Sequence, residues 1–324
     1  MKIIRTLPVA GQDMPAVALA LGNFDGVHRG HQAMLRRVVE AASDLDLVPA
    51  VMTFEPTARE YFAPTATPAG LLPRLLPRLL PRLLPLRSRL ERIAETGIAR
   101  IHLMRFDARL AEMDAETFVG DLLERRLNVR WLLIGHGARF GKNRVGGLDF
   151  LRARSNAFTL EAMAMVETDG ERVSSTAVRQ ALAVSDFACA ERLLGRPYTI
   201  TGQVSHGDAR GRMIGFPTMN VPLTFRPPLS GVFAVRVHGL GTVREGVANL
   251  GVRPSVKAAR ARLVLETHLL NFSESVYGRR IEVEFIKKLR DEMCFADMAA
   301  LAKQIEDDVR RAREVFSPVL CAAS

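Results

Sequence analysis

Short apolar runs alternate with helical patterns through the first half of the chain, and this alternation constrains the fold more than any other feature. The predicted elements are strands over 16–21, 48–54, 100–105 and 129–134 and helices over 31–45, 88–96 and 115–126. Strands that alternate with helices form a mostly parallel sheet covered on both faces. Such a sheet binds its ligands at the carboxyl ends of the strands. The first half is therefore predicted to be an α/β domain with a parallel sheet.

The pattern changes near Asp186, where a short helix ends at a helix-stop signal, Gly195-Arg196-Pro197. The strands predicted beyond it cover 198–205, 232–238, 244–250, 263–269 and 279–285, and a last helix covers 296–316. Alternating strands separated by turn residues favour a small antiparallel barrel or sandwich. At roughly 150 residues per domain, we predict two domains, residues 1–185 and residues 186–324.

The formal net charge is +10, which suits anionic partners such as nucleotides, nucleic acid or a membrane surface. The basic residues are spread along the chain rather than gathered in a block, so nucleic acid is not the expected partner, although a nucleic-acid-binding or regulatory protein stays an alternative. Apolar runs are too short for a membrane span. The first residues also lack the apolar core of a signal peptide, so we expect a cytoplasmic protein without a membrane partner. Oligomeric state is left open.

A proline-containing repeat interrupts the first half. Leu71-Leu72-Pro73-Arg74 recurs at 75–78 and 79–82. A proline every four residues excludes a regular helix, so this segment is predicted to be an irregular loop. It is either a duplicated loop segment or a leucine-rich docking motif for a partner.

The segment Gly22–His31 lies between a buried strand and a helix, where backbone N–H groups and a helix N-terminus can hold phosphate. His28 and His31 are three residues apart, so both imidazoles lie on one side of the first helical turn. They could hold a phosphate and stabilise charge that builds up during attack on it. There are two alternatives. The histidines could have no function, or they could be a pair of metal ligands, for which Asp25 is the only further ligand nearby in the sequence.

A second polar segment, Arg172–Arg179, begins another predicted helix. Ser174 or Ser175 can cap this helix, and Arg179 follows one turn later. The segment is either a simple helix cap or a source of hydroxyl and guanidinium contacts to nucleotide phosphates.

The second half has a glycine-rich segment, Gly202–Gly215, which includes Gly207 and can wrap phosphates. Thr218 and Asn220 follow with alternating spacing, and their oxygens suit the Mg²⁺ that carries ATP phosphates. Glu266 lies on an apolar strand. A buried carboxylate there costs free energy of folding, so it is expected to have a partner or a chemical role. It is either an exposed strand-face carboxylate or a base that takes the proton of an attacking hydroxyl.

These motifs resemble one known family. Residues 28–31 are similar to the histidine-x-glycine-histidine signature of adenylyl- and cytidylyltransferases, and with Ser174–Arg179 they resemble the FMN adenylyltransferase module of bacterial bifunctional riboflavin kinase/FAD synthetases. The motifs around Thr218 and Glu266 resemble the riboflavin kinase module, and the match continues through 246–254, 277–278 and 289–292. The resemblance covers nearly the whole chain in the expected order.

The resemblance implies a Rossmann-like nucleotidyltransferase domain followed by a riboflavin kinase barrel with a C-terminal helix. It implies phosphorylation of riboflavin to FMN with ATP, then adenylylation of FMN to FAD with release of pyrophosphate, with Mg²⁺ and without a covalent intermediate. The implied adenylylation site comprises His28 and His31 as catalytic residues with Gly22, Asn23, Gly30, Arg172, Ser175, Thr176 and Arg179. The implied kinase site comprises Glu266 as base, Thr218 and Asn220 as Mg²⁺ ligands, and Gly207 and Gly215 at the nucleotide.

The chain departs from the family pattern at three places, all in the adenylyltransferase half. Thr57-Ala58 replaces the usual His-Pro after Phe-Glu-Pro, and Gly137-Ala138 replaces a polar residue followed by Phe. The leucine-proline repeat is the third departure. An alternative prediction is therefore a riboflavin kinase whose adenylyltransferase module is weak or inactive.

Overall fold

The structure is a computed structural model that describes residues 1–6, 8–9, 14–63, 81–154, 157–207, 215–253 and 262–317. Most of the leucine-proline repeat lies outside the described residues. The chain divides into two compact units. The first comprises Met1–Thr65 and Leu86–Ser175, and the second comprises Ala66–Pro85 and Thr176–Ser324.

The first unit is built on a six-stranded sheet whose neighbouring strands are all parallel, in the order β1-β4-β3-β2-β5-β6. Its strands are β1 (Lys2–Ile4), β2 (Val17–Leu21), β3 (Val48–Phe54), β4 (Arg100–Met104), β5 (Val129–Gly135) and β6 (Thr159–Met163), followed by a short antiparallel pair, β7 (Glu167–Thr168) and β8 (Glu171–Arg172). The parallel α/β prediction is therefore confirmed. The edge strands β1 and β6 were not predicted from the sequence, because β1 has only three residues and β6 is only partly buried.

Helices cover both faces of this sheet. They are α1 (Arg29–Asp44), α2 (Ala58–Tyr61), α3 (Leu86–Ala94), α4 (Ala108–Glu112), α5 (Ala115–Thr117) and α6 (Leu148–Arg154). α5 continues as a π-helix, Phe118–Arg126, whose last turn is closed by a bond from Leu127 N to Leu122 O. Apolar side chains of this π-helix and α6 pack against one face of β2, β3 and β5. α1 buries Met34, Leu35 and Val38.

The second unit is a nearly closed antiparallel barrel with strand order β10-β13-β12-β11-β14-β9. Its elements are helix α8 (Phe187–Leu194), strands β9 (Thr199–Gln203), β10 (Met219–Pro222), β11 (Gly231–His238), β12 (Arg244–Arg253), β13 (Arg262–Leu269) and β14 (Arg280–Arg290), and the last helix, α9 (Met298–Phe316). Helix α7 (Ser175–Ala183) begins at the last residue of the first unit. A bridge between Ser205 and Asn220 brings the chain after β9 to β10.

The last helix covers part of the barrel. Ala312, Val309 and Phe316 of α9 pack with Val232 and Ala234 of β11. The predicted barrel with a C-terminal helix is thus confirmed. Among the described helices, none combines the length and the apolar character that a membrane span requires.

Candidate active sites

The loop that follows β2 lies where an open parallel sheet binds its ligands. β2 is central in the sheet, with β3 on one side and β5 on the other. The next strands along the chain, β3 and β4, extend the sheet in one direction, whereas β5 and β6 extend it in the other. Ligands bind at such a switch point, outside the carboxyl ends of the strands. The topology thus places residues 22–28 at the edge that the sequence predicts for a nucleotide.

The structure brings the two histidines of this loop together. His28 is buried and caps helix α1, and its Nδ1 accepts a hydrogen bond of 3.3 Å from the backbone N–H of His31. The two rings stack with centroids 3.6 Å apart and planes 17° apart. Because Nδ1 of His28 accepts, the proton of the neutral ring is on Nε2, which can donate to a ligand. The pair therefore adds imidazole donors to the positive end of a helix.

Neighbouring rings leave little room for a side chain at two glycines of this loop. A Cβ atom at Gly30 would lie 3.3 Å from the His28 ring, and a Cβ at Gly22 would lie 3.1 Å from the Phe24 ring. Both contacts are tighter than ordinary van der Waals contact. The glycines thus leave room for the side chains that shape the loop.

Helix α7 begins beside the same loop. Ser175 Oγ donates to the backbone carbonyl of Asp25 at 2.8 Å. Arg172, at the end of β8, is exposed. Thr176 and Arg179 belong to the second unit, where Arg179 Nε donates to the Pro81 carbonyl at 3.0 Å. The structure therefore brings Ser175 to the loop, while the nucleotide contacts of Arg172, Thr176 and Arg179 stay predictions.

An aromatic cluster that sequence reasoning missed lies at the carboxyl ends of β3 and β4. We call it the aromatic surface; its members are Phe54, Tyr61, Phe62 and Phe106. The ring centroids of neighbouring members are 5.1–6.0 Å apart. Phe62 is 65% exposed and Tyr61 is 39% exposed. An exposed group of rings at the ligand-binding edge suits a planar aromatic ligand.

The structure describes two of the three departures from the family pattern, those at Thr57-Ala58 and at Gly137-Ala138. Thr57 caps α2: its Oγ1 accepts from Glu60 N–H at 3.4 Å, and the Glu60 carboxylate accepts from Thr57 N–H at 2.9 Å. Ala138 packs against the apolar core of the unit, whereas the side of Gly137 where a Cβ would lie is open. Thr57 is therefore engaged in helix capping.

In the barrel, three polar side chains lie side by side on one face. Glu266 of β13 pairs with Asn220 of β10 on one side and with Asn249 of β12 on the other. Directly opposed residues of antiparallel strands have Cβ atoms about 5 Å apart and share a face. All three residues are half-buried. The predicted base and one predicted metal ligand are thus neighbours.

Asn249 was not assigned a role from the sequence. Its Oδ1 is buried and has no hydrogen-bond partner in the part of the chain that the structure describes. A buried amide oxygen that makes no hydrogen bond costs free energy unless a ligand or water supplies the donor. Only the strand register, which no local motif encodes, shows that Asn249 lies beside Glu266.

The predicted metal ligands lie at the start of β10. Thr218 is two residues before Asn220, and Asn220 Nδ2 donates to the Thr218 carbonyl at 3.5 Å. A Cβ atom at Gly207 would overlap the Asn220 amide, so Gly207 also lies at this site. Gly215 is exposed, with positive φ and open space around it, and its contact with the nucleotide stays a prediction.

The oxygen donors of this site fit Mg²⁺. Hydroxyl, amide and carboxylate oxygens from Thr218, Asn220 and Glu266 are the hard ligands that Mg²⁺ prefers, and this ion usually takes one or two protein ligands together with phosphates. Within the described ranges, no group of three His, Cys, Asp or Glu side chains could hold a metal.

Comparison with known proteins gives two family matches. The FAD synthetase model matches residues 11–177, and the riboflavin kinase model matches residues 194–316. The chain is 42% identical to a bifunctional riboflavin kinase/FMN adenylyltransferase of Pseudomonas fluorescens, over 98% of this chain and 99% of that protein. Proteins of the same description from Escherichia coli K12 and Bacillus subtilis are 43% and 33% identical, with 98% and 92% of each chain covered.

A solved structure from Streptococcus pneumoniae, described as a macrolide-efflux protein, has a similar fold. Its TM-score is 0.75 at 27% identity, and the alignment covers 96% of this chain and 98% of that one. Both units of the chain therefore have a counterpart in one known structure.

Proposed function

The chain belongs to the family of bifunctional riboflavin kinase/FMN adenylyltransferases, and from this premise we propose that each of its two modules carries one complete site. The protein phosphorylates riboflavin to FMN with ATP and adenylylates FMN to FAD. We assign adenylylation to residues 1–185 and phosphorylation to residues 186–324. The observation that supports this division is that the His28–His31 pair lies in the first compact unit and Glu266 lies in the second. A cytoplasmic location stays a prediction.

In the adenylylation site, a phosphate oxygen of FMN attacks the α-phosphorus of ATP, and pyrophosphate leaves. We propose that His28 Nε2–H and the His31 ring stabilise the negative charge that builds up on the phosphate oxygens. The helix N-terminus, shaped by Gly22, Asn23 and Gly30, adds backbone donors to the same charge. We further propose that Arg172 and Ser175, which lie in the same unit as the histidine pair, contact the triphosphate.

The flavin ring of FMN needs an apolar surface beside the same loop. The aromatic surface offers exposed rings at the carboxyl ends of the neighbouring strands β3 and β4. We propose that the isoalloxazine ring packs there, because planar aromatic groups gain both buried area and favourable ring contacts.

In the kinase site, the 5′-hydroxyl of riboflavin attacks the γ-phosphorus of ATP, and ADP leaves. Glu266 is proposed to take the hydroxyl proton as the bond forms. Thr218 and Asn220 would hold Mg²⁺, which neutralises phosphate charge when it is bound. Gly207 and Gly215 would border the nucleotide. Most of the rate enhancement then comes from positioning and charge neutralisation.

An assay of the purified protein with two substrates tests this function. Riboflavin with ATP and Mg²⁺ should give FMN and then FAD, and supplied FMN with ATP and Mg²⁺ should give FAD and pyrophosphate in equal amounts. Replacement of Mg²⁺ by excess chelator should stop both reactions. FMN formation without any FAD would contradict the adenylyltransferase assignment and favour a kinase with an inactive first module.

A further inference from the structure

A buried arginine lies beneath the adenylylation loop. Arg89 is on α3 in the first unit, and its side chain is only 2% exposed. Arginine is almost never this buried unless acceptors compensate its charge. Here Nη1 donates to the Asn23 carbonyl at 3.2 Å, and Nη2 donates to the Phe54 carbonyl at 3.2 Å and to the Glu55 carboxylate at 2.9 Å.

The three acceptors lie at the carboxyl ends of two adjacent parallel strands. Asn23 follows β2 and begins the loop that leads to His28, whereas Phe54 ends β3 and Glu55 follows it. Thr53 Oγ1 also donates to the Asn23 carbonyl, at 3.3 Å. One guanidinium group therefore joins the nucleotide loop to the end of the next strand.

The same guanidinium also joins the two surfaces that the proposed reaction needs to align. Asn23 is in the loop that carries the histidine pair, and Phe54 is a member of the aromatic surface. Phosphate chemistry at the histidines requires the attacking oxygen of FMN to be held within a few tenths of an ångström of its in-line position. The relative position of loop and aromatic surface sets that alignment.

We propose that Arg89 is a positioning residue for FMN adenylylation, and that it acts by holding the Asn23 carbonyl and the Phe54 carbonyl in one fixed arrangement. This role rests on the proposed function of the loop and the aromatic surface. It depends on the planar fork of the guanidinium, whose separate N–H groups point at separate acceptors; a lysine ammonium keeps the charge but cannot reproduce that geometry.

Arg89→Lys is the variant that tests this role, because it keeps the positive charge beside Glu55. We expect kcat for FAD formation from FMN to fall about 10- to 100-fold, while KM for ATP and FMN changes much less. The rate of riboflavin phosphorylation in the same preparation should be unchanged. Trp131 is the only tryptophan of the chain and is buried in the first unit, so its fluorescence reports whether that unit remains folded at the assay temperature.

Arg100→Lys is the matched control. Arg100 is another buried arginine of the first unit, and its guanidinium donates to one backbone carbonyl, that of Pro15, at the amino end of β4. The Arg100→Lys variant should have a kcat for FAD formation within about twofold of the wild-type value. Arg100 lies at the amino end of β4, whereas the site lies at the carboxyl ends of the strands.

Several outcomes would overturn the role of Arg89. A folded Arg89→Lys protein with wild-type kcat, or an equal loss of kcat in Arg100→Lys, would exclude it. If Arg89→Lys does not fold, Arg89→Gln is measured at the highest temperature at which Trp131 fluorescence is native, and wild-type kcat there would also exclude it. Failure of the wild-type protein to make FAD would instead contradict the proposed function itself.

Discussion

Histidines of the first unit have very different surroundings, and these determine what each can do. His28 and His31 lie at a helix N-terminus, where they can meet an anion. His102 lies in the middle of β4, fully buried, and neither ring nitrogen has a hydrogen-bond partner among the described residues. Burial, with a smaller contribution from the charge of Arg100, lowers the pKa of His102 to about 4. His102 is therefore a neutral core side chain at physiological pH.

This shift predicts how the stability of the first unit depends on pH. An unfolded histidine binds its proton near pH 6.5, whereas folded His102 does so near pH 4. Between these pH values the unfolded state binds more protons than the folded state. The contribution of His102 to the stability of the unit is therefore fully present above about pH 6.5 and is lost as the pH falls toward 4. The full loss is about 3 kcal/mol. Urea unfolding followed by Trp131 fluorescence should show about 2 kcal/mol of this loss between pH 7 and pH 5.

His102→Phe is the control for that measurement, since it replaces the imidazole by an aromatic ring that does not titrate. The variant should lose distinctly less stability than the wild type between pH 7 and pH 5. An identical loss in both proteins would show that other groups cause the pH dependence.

The aromatic surface gives a second prediction about a single residue. Phe62→Ala should raise KM for FMN about 3- to 10-fold in FAD formation, because one ring contact with the flavin is lost. Riboflavin phosphorylation should be unchanged. Leu45→Ala is the matched control, since Leu45 is also exposed but lies at the end of α1, before β3 begins. Equal KM values for Phe62→Ala and the wild type would place the flavin elsewhere.

Helix α9 is attached to the barrel by a buried ion pair as well as by its apolar side chains. Arg290 of β14 donates through Nε and Nη2 to the Asp308 carboxylate at 2.7–3.1 Å. Gln304 donates to the same carboxylate at 3.2 Å. The Asp308 side chain is only 2% exposed. The pair therefore sets how α9 lies on the strands. Arg290 is also near the kinase site, because its strand partner Val232 pairs on its other side with Asn249.

Loss of this carboxylate should destabilise the second unit. Asp308→Ala leaves the Arg290 charge buried without its acceptor, which typically costs about 3–5 kcal/mol. Riboflavin phosphorylation should therefore be lost at a lower temperature, while the Trp131 transition of the first unit is unchanged. Glu314→Ala is the control, because Glu314 forms an exposed pair with Arg310 on the same helix, and loss of an exposed pair should destabilise the unit far less than loss of a buried one. Equal thermal shifts would contradict a structural role for the buried pair.

At the scale of the whole molecule, the chain joins a parallel α/β unit to an antiparallel barrel, and each unit has its own polar cluster. The histidine pair depends on a strand-to-helix junction within the first unit. In the second unit, the register of three strands brings together Asn220, Glu266 and Asn249. Because neither cluster needs a side chain of the other for its own arrangement, the two activities should be separable by substitution.

Glu266→Gln and His31→Ala test this separation in the full chain. Glu266→Gln should lower FMN formation about 10²- to 10⁴-fold and spare FAD formation from supplied FMN. His31→Ala should lower FAD formation about 10²- to 10³-fold and spare riboflavin phosphorylation. Each variant is therefore the control for the other. If either change damaged both activities equally in folded protein, the assignment of two sites would be wrong.

Much of the fold could be predicted because its signals are local. Buried strands such as β2 and β5 are apolar runs, and the helices between them have a clear apolar periodicity. The edge strand β6 was missed because its side chains are only partly buried, so its pattern is weak. Five of the six barrel strands were predicted from alternation, whereas β10 was not among them. The strand order was not predicted, because alternation shows which face of the sheet a residue occupies but not which strand pairs with which.

What the sequence determined by itself is the identity of two chemical clusters and the class of each unit. The histidine pair, Thr218 with Asn220, and Glu266 are short motifs, and their spacing on a helix or strand follows from the backbone. Only the tertiary structure decided that Asn249 lies beside Glu266, that Phe106 joins the other members of the aromatic surface, and that Arg89 joins the ends of β2 and β3. These are contacts between residues far apart in the chain, and they exist only once strand register and burial have been set by packing of the whole unit.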